Sequence, residues 1–408
     1  MDEIVSNNTI KIILRNALFG LILISALFPW SPPILKFTDL QPTPVIFSIL
    51  YFIIFVRKIT FVCIWPISAF LAATSLMFLF GIDVNSLRGV YPYLLFTIVI
   101  LVTVDYLNFS GNKLSFWIIY ACTFVWFCVS VIQFKNPEFA HSLISRTAIT
   151  SLSQGRGVSS LAPEPTFYAI QMLVLSILVH LLYLMRSIRS QDFYILLAII
   201  FAQILFFSRS ALVTVILLTA IFLYCIVFKF KYILVVPLVV GVIGYLEIGR
   251  FGIFLNKIDF HDFKISNFTS DASFSDRISQ IFYSYYNTIT DFFIPHGFNS
   301  WQFINANIFN SILGSNSIST NPRVLSLTGG ILYELGILGV PLFMFILAFP
   351  FFSLRQYPTN LRFGITVLIF FLTLNAVPLA LPGIALVYAL FITIYYQDKW
   401  QKNESNIR

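Results

Sequence analysis

The sequence predicts an all-α, polytopic membrane protein with about twelve transmembrane helices and one large outer-face loop containing an amphipathic helix. Three observations predict it. Of 408 residues, 58% are hydrophobic and 10% charged, against about 25% charged in a soluble domain. The mean hydropathy is +0.88 and 46 residues are Phe, more apolar surface than a globular core can bury, so lipid must cover the rest. Finally, the apolar residues fall into runs of roughly membrane-crossing length. Length is then no guide to domain count, and residues 1–408 read as a single integral membrane domain.

Taken in order, the runs lie near 12–29, 44–56, 59–80, 91–107, 114–134 and 166–185, then near 192–207, 210–228, 231–247, 325–352, 361–377 and 380–396. The first lacks a small-residue cleavage site before Pro29-Trp30-Ser31-Pro32-Pro33, so it reads as a span rather than a cleaved signal. Boundaries are least sharp at Arg57-Lys58, Ser208-Arg209-Ser210 and Pro378 to Pro382. With the N-terminus inside, the cytoplasmic segments hold Lys11 and Arg15, Arg57 and Lys58, Lys113, Arg186 and Arg189, Lys229 and Lys231, Arg355 and Arg362, and Lys399 and Lys402. Every short cytoplasmic connection is thus basic, as orientation by positive charge requires. The same count leaves two long segments outside, 135–165 and 248–324.

Within 248–324, Ile278, Ile281, Phe282, Tyr285, Ile289, Phe292 and Phe293 recur at helical spacing. Ser275 is the expected N-cap, with Asp276 in the first turn. Such a helix lies flat at the outer membrane-water interface. Beyond Pro295, the Asn- and Ser-rich stretch 297–320 reads as an irregular loop. The net charge of +8 comes from Lys and Arg placed singly between apolar runs, which argues for topology signals and against a nucleic-acid partner. Cys63, Cys122, Cys128 and Cys225 all lie in apolar stretches, where small buried hydrophobes are expected rather than disulfides or a metal site.

Candidate chemistry begins at Arg156-Gly157-Val158-Ser159-Ser160-Leu161-Ala162-Pro163-Glu164-Pro165-Thr166-Phe167. Two prolines restrict the backbone around Glu164, and a carboxylate at the mouth of a span is costly to desolvate unless paired or used. Glu164 reads either as a functional group or as a helix-start acid paired with Arg156. Arg146, Arg209, Arg277 and Arg323 fall on the same outer side, where positive-inside bias does not put cations. Arg suits pyrophosphate because its planar fork gives bidentate, charge-assisted hydrogen bonds. The competing readings are a snorkelling helix-end charge for Arg209 and attraction to anionic lipid for Arg277. Glu334 lies inside an apolar run, where an ionisable residue is a functional-site hypothesis by default; pairing with an Arg to lock two helices competes with that. Gly329, Gly330, Gly336 and Gly339 around it permit close helix contacts. His296 reads as a proton acceptor or a solvated loop histidine, and His180 as a helix-helix hydrogen-bonding group. The sequence has no Gly-rich phosphate loop, His-Glu-x-x-His, Cys-x-x-Cys or Gly-x-Ser-x-Gly. An outward-facing enzyme without nucleotide must draw its energy from the substrate itself.

This pattern resembles the O-antigen polymerase and ligase superfamily, and within it the Wzy-type O-antigen polymerases. The resemblance rests on the layout of spans around one large loop, on Arg156-Gly157 with Glu164-Pro165, and on Phe207-Ser208-Arg209-Ser210-Ala211. It rests also on Asp276-Arg277 with Pro295-His296-Gly297, and on Glu334-Leu335-Gly336-Ile337-Leu338-Gly339. Arg146 and Gly157 match an Arg-x10-Gly spacing of some polymerase loops, which Arg250, Arg277 and Arg323 do not repeat. The resemblance implies a bacterial inner-membrane protein with cytoplasmic termini and a periplasmic 248–324 loop. It implies a cofactor- and metal-independent glycosyl transfer from undecaprenyl-pyrophosphate-linked oligosaccharide, with membrane lipids, a chain-length regulator and a flippase as partners. In that reading Arg156, Arg209, Arg277 and Arg323 stabilise the departing pyrophosphate, and Glu164, then His296, accepts the acceptor proton. Arg146 and Glu334 contact substrate, and Tyr283, Tyr286 and Trp301 stack on sugar or anchor at the interface. An O-antigen ligase shares the layout. A lipid-linked oligosaccharide flippase or transporter is the competing class, but it needs no outer loop of about 75 residues and would line a central cavity with its ionisable groups.

Overall fold

The computed structural model describes residues 2–32, 41–136, 139, 143–144, 157–228, 272–298, 300–303, 324, 326–375 and 378–407. Helices account for nearly all of them, and no strand occurs among the described residues. In chain order the helices are α1 (Asp2–Leu27), α2 (Thr43–Phe55), α3 (Ile64–Phe80), α4 (Val84–Phe109), α5 (Phe116–Lys135) and α6 (Pro165–Leu184). There follow α7 (Ser190–Ala202), α8 (Ala211–Phe228), α9 (Ala272–Thr290), α10 (Leu327–Leu335), α11 (Val340–Ser353), α12 (Thr359–Leu374) and α13 (Pro382–Ile407).

Of the twelve apolar runs, eleven coincide with helices and the twelfth, 231–247, lies outside the described residues. Among the described residues, seven helical stretches are long and apolar enough to cross a membrane, and Thr43–Phe55, Thr359–Leu374 and Pro382–Gln397 are shorter apolar helices. The chain is a helical membrane protein on that ground.

Where each helix sits follows from how far it is enclosed. In α4 and α6, 83% and 78% of the membrane-length window is buried, against at most 39% in the other five long stretches, and residues 382–394 of α13 are buried throughout, so α4, α6 and α13 form the centre and the other long stretches lie around them. α13 packs along the other two, α3 and α2 flank α4, and α7 and α8 flank α6. α4 starts where Asp83 caps it, the carboxylate accepting from Ser86 N at 2.6 Å; hydrogen bonds from Ser86 hold that carboxyl below its usual range.

One end of the bundle gathers basic connections. Ser187 Oγ donates to Asn112 O at 3.0 Å, beside Lys113, and Tyr357 Oη to Leu184 O at 2.9 Å, beside Arg186 and Arg355. At that end Arg15 is more than a topology signal. It forms an enclosed ion pair with Asp105, donates from Nε to Tyr51 Oη at 2.7 Å, and lies 3.9 Å over the Phe109 ring.

Three details differ from the sequence expectation. The run 325–352 is not one helix: α10 ends at Gly336, whose φ of +53° breaks it before α11. That conformation costs glycine nothing, and hydropathy carries no sign of it. α9 begins at Ala272, so Ser275 falls inside its first turn rather than capping it. His180 meets the edge of the Phe193 ring, with centroids 5.3 Å apart. Cys63, Cys122 and Cys128 are free thiols.

Candidate functional site

At the opposite end of the bundle, four of the sequence motifs meet. The segment entering α6 is the first. Gly157 lies so close to the end of α7 that the place a Cβ would take is filled by the Phe207 carbonyl oxygen, and Val158 N donates to that oxygen at 2.8 Å. That oxygen is exposed to capture because α7 ends in a π-helical turn, Gln203–Ser208, where carbonyls lie beyond the regular ladder. Gln133 of α5 fixes the next two residues: its Nε2 donates to Ser159 Oγ at 3.2 Å and its Oε1 accepts from Ser160 N at 2.6 Å. Below them Tyr168 Oη donates to Gln203 Oε1 at 2.7 Å and pairs with Ser130 Oγ at 2.6 Å. These buried, satisfied polar groups specify one position for the segment.

The segment delivers Pro163, Glu164 and Pro165 to the start of α6. Glu164 is the N-cap residue, with extended backbone (φ −144°, ψ 154°) and a half-buried side chain that makes no capping bond, and Pro165 opens the helix. Pro is pre-organised for that first position.

Facing it is α10. Ser326 caps this short helix by accepting from Gly329 N at 3.2 Å and donates to Leu374 O at 2.7 Å. Tyr285 of α9 reaches Thr328 Oγ1 at 2.8 Å. Gly329 permits the close approach of α9, since Ser284 Oγ fills its Cβ position. At the break the 293–298 segment supplies the backbone partners that the helix end lacks. His296 N donates to Tyr333 O at 3.2 Å, Gly297 N to Glu334 O at 3.1 Å, and Ile337 N to Phe293 O at 2.8 Å.

Between these walls lies a cavity of about 210 Å³. Trp30, Tyr93, Pro163, Phe167, Leu379 and Glu334 are among its lining residues. Glu334 is 4% exposed, and its Oε2 accepts a hydrogen bond from Tyr93 Oη of α4 at 2.9 Å. No family model, curated protein or solved structure matches the chain.

The other candidate residues are distributed as follows. Arg209 adopts a left-handed backbone (φ 46°, ψ 40°) at the turn into α8, and its Nε donates to Phe206 O at 3.3 Å. It sits beside the Gly157 contact and does not line the cavity. Arg277 lies near the start of α9. Arg146, Arg156 and Arg323 fall outside the described residues. His296 stacks on Tyr333 with centroids 4.3 Å apart; its Nε2 lies 2.8 Å from Asp291 Oδ2 and its Nδ1 3.2 Å from Tyr333 O. Both ring nitrogens are therefore engaged by oxygen acceptors.

Tyr283 and Trp301 are buried with Val324 and Tyr333 in a small cluster behind α10, and burial pushes the Tyr283 phenol up to about 12. Trp301 Nε1 has no hydrogen-bond partner among the described residues. Tyr286 instead lies on the exposed face of α9 with Phe282 and Ile289, while Gln280, Tyr283, Ser284 and Thr288 face inward. The helix is amphipathic, with its polar side against protein and its apolar side outward.

Tyr93, Trp30 and Phe167 were not singled out by sequence. A tyrosine or phenylalanine within an apolar run has no distinguishing signal in a chain with 19 Tyr and 46 Phe.

Proposed function

We propose that this chain is an O-antigen-type polymerase, a periplasmic-face glycosyltransferase that joins undecaprenyl-pyrophosphate-linked repeat units into a glycan chain. What supports the reading is the convergence of motifs remote in sequence. Gly157 touches Phe207 and Ser208, Gly297 bonds to Glu334, and Pro163 shares a cavity with Glu334. Segments that form a resemblance only by their order in the chain form a single neighbourhood in space. Reading the basic end as cytoplasmic by the positive-inside rule leaves the cavity facing outward, where a lipid pyrophosphate is the available energy source. A transporter, whose ionisable residues should line a path near the bilayer midplane, fits less well because it needs no outer segment as long as 248–324.

In this reading Arg209, with Arg156, Arg277 and Arg323, stabilises charge on the departing pyrophosphate, and Glu164, next in sequence to the cavity-lining Pro163, is the leading acceptor of the acceptor hydroxyl's proton. The test is the lipopolysaccharide ladder of the strain carrying the gene, after deletion and after complementation with wild type or Arg209→Ala, with membrane levels checked. Deletion should leave core bearing a single repeat unit, wild type should restore the ladder, and Arg209→Ala should not. Bare core with accumulated lipid-linked polymer would identify a ligase, and an unchanged ladder would refute both.

A further inference from the structure

A helix start buried in protein needs partners for its first N–H groups, because no carbonyl of the helix itself precedes them. In α8 the first bond of the helical ladder runs from Thr214 N to Ser210 O at 3.0 Å. Ser210 is therefore the N-cap residue, and the N–H groups of Ala211, Leu212 and Val213 have no acceptor within the helix. A serine in this place ordinarily accepts from one of them through its hydroxyl. Here the residue is 4% exposed, and its Oγ is buried with no hydrogen-bond partner among the described residues. An unpaired buried hydroxyl costs stability, so the position asks for a partner from outside the chain.

The residue before it adds charge. Arg209 holds a left-handed backbone (φ 46°, ψ 40°), a conformation uncommon for arginine. Its Nε donates to Phe206 O at 3.3 Å, and it forms no ion pair among the described residues. One turn thus combines the positive end of an 18-residue helix, a hydroxyl able to donate, and a guanidinium without a carboxylate. Backbone N–H groups at a helix start bind phosphate oxygens, and the guanidinium fork grips two of them at once. Gly157 packs on this turn at Ser208, and the segment that begins there delivers Pro163 to the cavity wall.

We propose that the start of α8 is a phosphate-binding site, built from Ser210 Oγ, the first N–H groups of the helix and the Arg209 guanidinium. The Ser210 hydroxyl donates to a phosphate oxygen and is satisfied only when the site is filled. The site itself needs no assigned activity, whereas its occupant as the pyrophosphate of a lipid-linked donor rests on the polymerase reading above. The headgroup of an anionic phospholipid offers the same chemistry.

The test is binding to the purified full-length protein in dodecyl maltoside and phosphate-free buffer. One arm uses radiolabelled geranyl pyrophosphate, a short lipid pyrophosphate, and the other uses phosphatidylglycerol. Ser210→Ala should raise the Kd for geranyl pyrophosphate at least about tenfold, the scale of one hydrogen bond to a charged group. Arg209→Asn, which removes the charge but suits a left-handed backbone, should do the same. Without ligand, Ser210→Ala should melt at or above wild type, since it deletes an unpaired hydroxyl and leaves no partner stranded. A serine with a purely structural role gives the reverse, a lower melting temperature with an unchanged Kd.

A Ser210→Ala Kd within twofold of wild type overturns the proposal and leaves the polymerase reading to the ladder test. Wild type that binds phosphatidylglycerol and not geranyl pyrophosphate, with the same dependence on Ser210, keeps the phosphate site and removes the donor assignment. Binding of neither ligand by wild type overturns the site. A ladder unchanged by gene deletion refutes the polymerase reading alone, because a Ser210-dependent Kd would still stand. Should Ser210→Ala not reach the membrane, Arg209→Asn decides: a raised Kd supports the site and an unchanged one overturns it.

Discussion

Gly157→Ala is the substitution whose cost can be worked most directly from the structure. An alanine Cβ would press on the Phe207 carbonyl oxygen and stand 2.5 Å from the Ser208 carbonyl carbon, where non-bonded carbons rest about 3.5–4.0 Å apart. Both obstacles are backbone, so the two segments must separate by about 1 Å. The Val158 N to Phe207 O distance then grows from 2.8 Å to about 3.8 Å, past the roughly 3.2 Å limit of a hydrogen bond. Val158 is fully buried, and leaving its N–H unsatisfied costs about 1–3 kcal/mol. Local repacking adds about 1–3 kcal/mol.

Gly330→Ala supplies the opposite sign. Its Cβ finds ordinary contacts at 3.6 and 3.7 Å, and alanine is favoured over glycine within a helix by about 1 kcal/mol. The assay is thermal unfolding in detergent, followed with a thiol-reactive fluorophore that reports exposure of the buried Cys63 and Cys122. Gly157→Ala should melt below wild type and Gly330→Ala at or above it. A Gly157→Ala protein that melts with wild type would refute the close backbone approach on which the calculation depends.

Two further outcomes are expected. Arg15 and Asp105 are 16% and 17% exposed, so removing one partner as Arg15→Leu or Asp105→Leu should cost about 3–5 kcal/mol, while the double substitution recovers much of it; the same thermal assay measures all three. The outward face of α9, where Ile289 is 62% exposed, should contact lipid, so an Ile289→Trp protein in liposomes should be quenched by lipids brominated near the glycerol. Fluorescence indifferent to those lipids would place this face in water or against protein.

Much of the fold was legible because a membrane imposes length and hydropathy on each helix. The run 114–134 reads almost as the helix Phe116–Lys135 that it becomes. What hydropathy could not show was the break at Gly336, where the decisive fact is a left-handed backbone conformation held by partners from 293–298, about forty residues earlier. The candidate site divides along the same line. Glu334 announced itself as a carboxylate in an apolar run, but its donor Tyr93 is one tyrosine among many and lies on α4. His296 was visible, whereas its engagement with Asp291 and the Tyr333 carbonyl depends on how the loop folds back on α10. The period of α9 gave the helix, and the pairing of Ser284 with Gly329 decided which face turned inward.

Several helices are short for their setting. At 1.5 Å per residue, α2 with 13 residues and α12 with 16 measure about 20 and 24 Å, against a hydrocarbon core of about 30 Å. A flank that falls short by several ångströms draws the bilayer thinner around it or lets polar ends dip inward, at fractions of a kcal/mol per ångström. α12 packs against α10, so the mismatch falls beside the cavity wall. Lipids along that flank sit with their headgroups pulled toward the midplane, and the thickness of the surrounding bilayer becomes a variable in how the protein meets a lipid.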